Sequence, residues 1–193
     1  MKSHDEAAPR STASAAMNRR SEGDIFAPVH RALRRGRVAS ALRLLLDDAG
    51  RLQRRFEVDR NHAWYLVGDG RYRRREFHEA IRAFRRALAS DPADDDAMMA
   101  LANCHSELGN PRWSRHYLTQ ALRLAPGNPA LLYNLGNAWF DSGEFATAIG
   151  LYRRAAKRAA PELKTACGRN EALARLRSRG TARSRRDLPG ERQ

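Results

Sequence analysis

The chain has 193 residues, 42% of them in the hydrophobic class, which suffices for one compact domain with a continuous core and leaves too little for a second. No run of about 18 apolar residues occurs, so a transmembrane segment is not expected. The two cysteines, Cys104 and Cys167, lie far apart without metal-ligand spacing, which argues against a disulfide framework and fits a reducing cytoplasm.

Thirty-six basic against 22 acidic residues give a net charge of +14. Residues 1–60 carry 13 basic and 8 acidic groups, 61–162 carry 14 and 11, and 163–193 carry 9 and 3. The excess sits mainly on the flanks, so the field favours anionic neighbours without defining one binding surface.

In chain order, residues 1–23 are polar and rich in Arg, Ser and Ala, which predicts a disordered basic tail. No export signal is expected there: the residues after Arg19 and Arg20 are mainly polar and then reach Pro28, with no extended hydrophobic region between. Residues 24–60 predict N-terminal capping helices, one over about 37–48 and another over 51–57. Here Gly36, Val38, Ala41 and Leu45 match Arg75, Phe77, Ala80 and Phe84 at a spacing of 39, as a degenerate repeat with extra residues near Gly50. Leu42, Leu44, Leu45 and Leu46 exceed a narrow stripe, so a homodimer contact through these helices stands as the alternative to a cap.

From 61 to 162 the sequence aligns with itself three times without a gap, at 61–94, 95–128 and 129–162, a period that marks a solenoid. The fourth places hold Trp64, Met98 and Leu132, the seventh Val67, Leu101 and Leu135, and the eighth Gly68, Ala102 and Gly136. Later columns are Ala80, Ser114 and Ala148, then Phe84, Leu118 and Tyr152, then Ala87, Ala121 and Ala155. Each unit thus shows two apolar stripes with helical spacing and predicts a helical hairpin, stable only when stacked on its neighbours. Gly109-Asn110-Pro111 and Ser142-Gly143 mark the turns inside units, and Pro92, Pro126 and Pro161 discourage the helices that end them. Beyond Pro161, Leu163, Ala166, Cys167, Ala172, Leu173 and Leu176 form the stripe of one further amphipathic helix, expected over 163–178. A second disordered basic tail is expected over 179–193.

The run Trp64-x-x-Val67-Gly68 with Ala80, Phe84, Ala87 and Pro92, and Leu132-Tyr-Asn-Leu-Gly-Asn-Ala-Trp139 with Gly143, Ala148 and Tyr152, resemble tetratricopeptide repeats. Arg71 and His105 replace the aromatic usual in that family, and Arg75 its turn glycine. The resemblance implies an all-α, right-handed superhelix, an α-solenoid of three hairpins between N-terminal capping helices and a C-terminal solvating helix. It further implies a non-enzymatic protein-interaction module, a scaffold, adaptor or chaperone-like holder of a partner peptide or helix in the concave groove. Type III secretion translocator chaperones are similar in plan, which makes that role a special case.

In the family the first helix of each hairpin lines the groove. Carried over, its exposed places are His62, Tyr65, Asp69, Tyr72 and Arg73, then Asp96, Met99, Asn103, Ser106 and Glu107, then Ala130, Tyr133, Asn137, Phe140 and Asp141. Tyrosines, Phe140 and Met99 offer adaptable apolar contact, and the two asparagines can pair with both groups of a peptide backbone. Carboxylates outnumber cations among these places, so a guest with apolar anchors and some Lys or Arg is expected. Tyr65, Ala130 and Asn134 stand where relatives that clamp a carboxylate carry cations, which argues against such a clamp.

No catalytic, metal or cofactor site is expected. His78-Glu79 lacks the second histidine of a zinc-protease helix, and Gly68-Asp69-Gly70 lacks the later glycine and lysine of a phosphate loop. Asp94, Asp95 and Asp96 open a helix, where carboxylates favour the N-terminus. The alternative function is nucleic-acid association through a convex Arg-rich face: Arg82, Arg85 and Arg86, Arg112, Arg115 and Arg123, then Arg153, Arg154, Lys157 and Arg158.

Overall fold

A computed structural model describes residues 24–186 as helices joined by short turns. Two short helices, α1 (Ala27–Arg34) and α2 (Val38–Leu45), come first, followed by a 3-10 turn over Arg54–Asp59. Three helix pairs follow: α3 (Arg60–Arg73) with α4 (Phe77–Ser90), α5 (Asp95–Glu107) with α6 (Pro111–Leu124), and α7 (Pro129–Asp141) with α8 (Phe145–Ala156). A long helix, α9 (Pro161–Arg186), closes the described chain.

The pairs begin where their caps dictate. Asp59 accepts a hydrogen bond from the His62 amide, Asp94 from the Ala97 amide and Asn128 from the Ala130 and Leu131 amides, each satisfying an orphan donor of a first helix. Asp94 therefore caps α5. Inside each pair the chain reverses through the left-handed backbone region, at Arg75 (φ 61°), Gly109 (φ 70°) and Gly143 (φ 80°). Two of these are glycines at no steric cost; Arg75 holds a conformation that disfavours a side chain.

The small and large columns meet across each pair. A Cβ on Gly68 would lie 2.5 Å from the Phe84 ring, and one on Gly136 would lie 2.6 Å from the Tyr152 ring. Where the opposing residue is the smaller Leu118, the same place accepts Ala102, and both are fully buried. Ala80, Ser114, Ala148, Ala87, Ala121 and Ala155 are likewise buried at the seams. The first helices of successive pairs touch one another, α3 with α5 and α5 with α7, to a degree the second helices do not. That asymmetry curves the stack, with first helices on the inner face and second helices on the outer one.

The flanks depart from expectation in three ways. Helix α1 is an unforeseen element, anchored by Phe26, Val29 and Leu33 in the first core cluster, and the helix expected over 51–57 is a 3-10 turn that buries Phe56. Leu42 and Leu45 are buried in the same cluster, with Leu44 and Leu46 partly buried against it. Finally, residues 179–186, expected in the disordered tail, continue α9 to Arg186. Arg and Ala are good helix formers, and cations suit the negative end of the helix dipole. The tail expected over 1–23 and the remainder of the other, 187–193, lie outside the described residues. No described helix is long and apolar enough to cross a membrane.

Candidate functional site

On the inner face a cavity of about 410 Å³ opens between α3, α5, α7 and α9. Of the groove places chosen from sequence, Tyr72, Asn103, Ser106, Glu107, Asn137, Phe140 and Asp141 line it. Periodicity alone brings them together, because each stands on the inner stripe of a first helix.

The other chosen residues lie elsewhere. His62 is covered by α1: the Phe26 ring meets it edge-on with centroids 4.7 Å apart, and the His30 and His62 Nε2 atoms are 3.1 Å apart. Tyr65 packs edge-on against Phe84, and burial raises its phenol to about 12. Asp69 and Arg73 pair with each other one turn apart at 2.9 Å. Met99 packs against the second core cluster. Tyr133 lies against the Tyr152 ring and accepts a hydrogen bond of 3.1 Å from Asn170 Nδ2.

The same Asn170 amide donates to Asn137 Oδ1 at 2.9 Å, and so does the Tyr152 hydroxyl, also at 2.9 Å. Asn137 is thereby locked in one orientation, its acceptor satisfied from within and its Nδ2 hydrogens left for a guest. Asn103 and Asn134 make no side-chain hydrogen bond among the described residues. Three amides in one cavity can thus serve a backbone that presents both donors and acceptors.

Glu107 and Asp141 line the same cavity. Desolvation raises the Asp141 carboxyl above its ordinary value; at Asp96, which stands outside that lining in the first turn of α5, it does the same, helped by Asp95 and Asp94. Neither has a cationic partner among the described residues. Glu107 is contacted by the Tyr72 hydroxyl at 3.5 Å and by Arg75 at 3.6 Å, on the exposed lip. A partly desolvated carboxylate without a cation is favoured by a positive charge brought close to it, which a Lys or Arg from outside would supply.

Ser114, Asn134, Tyr152, Asn170 and Leu173 also line the cavity; sequence reasoning named Asn134 only as a clamp place without its cation and did not choose the other four as groove residues. One of them carried a signal. In the column Phe84, Leu118, Tyr152 only the tyrosine has a polar tip, and a buried hydroxyl needs a partner; the missing Cβ of Gly136 lets that ring lie close against α7. Asn170 and Leu173 had none, since their facing depends on how α9 docks.

Burial raises the Cys104 thiol to about 12 and the Cys167 thiol above its usual value, away from reactive thiolate. Among the described residues no three His, Cys, Asp or Glu side chains gather as metal ligands.

Solved structures show the same fold at low identity. A MamA protein from Desulfovibrio magneticus RS-1 is 18% identical with a TM-score of 0.63, over 88% of this chain and all of that one. The type III secretion chaperone SycD of Yersinia enterocolitica, in complex with a peptide of the translocator YopD, is 17% identical with a TM-score of 0.57, over 61% of this chain and 93% of its own. The Sgt2 tetratricopeptide domain of Aspergillus fumigatus is 17% identical with a TM-score of 0.58, over 70% and 87%. The sequence profile of the tetratricopeptide repeat covers residues 65–111 and 105–163, over half the chain. With its stacked pairs, small-against-large seams and matching profile, the chain belongs to the tetratricopeptide repeat family.

Proposed function

We propose that the protein is a non-enzymatic holder of a partner polypeptide, seated on the inner face with at least one Lys or Arg toward Asp96 or Asp141. The observation that carries the reading is the cavity itself, where the amide groups of Asn103, Asn134 and Asn137 stand beside the Asp141 carboxylate, which has no cationic partner among the described residues. Amides recognise a backbone without regard to sequence, while the carboxylates select charge, so the guest is defined as a cationic segment with apolar flanks for Phe140 and Leu173. That a peptide accompanies the Yersinia chaperone in its structure supports this occupancy, and a chaperone of secreted proteins is its narrower form.

The test is a calorimetric titration with short Lys- and Arg-containing peptides against the protein and two variants. Asn103→Ala should weaken binding roughly 5- to 20-fold, the worth of one or two hydrogen bonds to a buried amide, and Asp141→Asn should weaken Lys- and Arg-containing peptides while sparing their neutral analogues. Equal affinity of both variants for every peptide would reject the groove as the site.

A further inference from the structure

The outer face carries a feature that the groove does not explain. Of the three tryptophans, Trp64 lies under the Arg86 guanidinium at 4.4 Å and Trp139 under that of Arg115, also at 4.4 Å. Trp113, on α6, has no arginine over it and remains 51% exposed. It is nonetheless held in place. Its ring stacks on that of His105 at 5.9 Å, His105 stacks in turn on Tyr117 at 5.7 Å with an interplanar angle of 13°, and His116 meets both Trp113 and Tyr117 edge-on. His105 is only 7% exposed, with both ring nitrogens lacking a hydrogen-bond partner. It acts as a dry backing for the rings outside it.

Basic rows run on both sides of this platform. On α6, Arg112 and Arg123 are exposed at helical spacing beside the Trp113–His116 row. On α4, Arg85 is exposed and has no ion pair among the described residues; after burial itself, its charge and that of His78 lower the proton affinity of His105. Arg82 is partly neutralised by Glu79 at 2.8 Å.

We propose that this platform binds single-stranded nucleic acid without sequence preference, a base stacking on the open face of Trp113 and flanking phosphates meeting Arg85 and Arg112. Every base offers a π-face to a ring already fixed in orientation, and the basic rows on either side follow a phosphate backbone. A duplex keeps its bases stacked on each other and can offer the platform only its phosphates.

The experiment is fluorescence anisotropy with a labelled oligothymidylate of about a dozen nucleotides, a length within the range one stacking module covers, over a series of salt concentrations. Trp113→Ala should weaken binding about ten- to hundredfold, the worth of one stacked base, with the salt slope unchanged, and Trp113→Phe should restore most of it. Arg85→Ser should lower that slope by about 0.7, one phosphate contact on a single strand. Trp113 is half exposed, so its replacement should leave the thermal melt in place, which checks that the fold survives. Asn103→Ala in the groove should leave oligonucleotide binding as it was. No binding at low salt, equal affinity of Trp113→Ala and the parent, or a duplex bound as tightly as the single strand would each overturn the proposal, the last two by showing charge attraction alone.

Discussion

His105 occupies a place where an aromatic ring would cost nothing, and it is buried there with two polar atoms that nothing satisfies. Burial first, then the positive charges of Arg85 and His78, hold it below its ordinary 6.5. His62 is lowered in the same sense, by burial and then by His30, against the opposing pull of Asp59, Asp24 and Asp94. Between these lowered folded values and 6.5 the unfolded chain takes up protons that the folded chain refuses, so stability is full above about 6.5 and falls as pH drops through it. His105→Phe removes one of the two groups and relieves an unsatisfied site, for a gain of about 1 kcal/mol. Urea unfolding on both sides of pH 6.5 should show a higher midpoint for the variant and a shallower loss on acidification; an unchanged or steeper loss would contradict it.

At the level of elements, α9 is two things in sequence. Up to Ala174 it is part of the body: Cys167 and Ala174 are buried, Glu171 pairs with Arg153 at 2.7 Å, and Asn170 reaches into the cavity. Among the described residues no core residue follows Ala174, and Leu176 is exposed. A chain ending after residue 178 should therefore melt close to the full-length temperature, whereas one ending after 160 uncovers the last pair and loses the partner of Asn137. Circular dichroism melts of the two truncations would decide it, and equal melting temperatures would mean that α9 does not cap the stack. The three pairs were legible in advance because their constraint is local and repeated: Gly68 and Phe84, Ala102 and Leu118, Gly136 and Tyr152 are each read from spacing alone. Helix α1 was not, since three apolar residues, Phe26, Val29 and Leu33, are too short a pattern to separate from a tail. Nor was the role of Asn170, which follows from the docking angle of a helix whose own repeat match is weak.

Across the whole molecule the two faces have opposite chemistry. The inner face sets Asp141 and Glu107 beside the cavity amides, with Asp96 on the same stripe, and the outer one carries arginines beside an aromatic row, although the summed charge of +14 reports only the second. A summed charge adds what the fold keeps apart, so the acidity of the trough had to be read from the residues on one helical stripe, as Asp69, Asp96, Glu107 and Asp141 allowed. The distribution of Trp113 and Arg85 needed the stacked pairs themselves.

The trough is also stopped at both ends, by α1 lying on His62 and by Asn170 and Leu173 of α9. Three first helices spaced about 9 Å apart leave roughly 20 Å between those stops, which an extended strand crosses in about six residues at 3.3 Å each. The architecture is thus a ruler: in a nested series of peptides, affinity should climb with length to about six residues and then level off, since anything longer hangs outside.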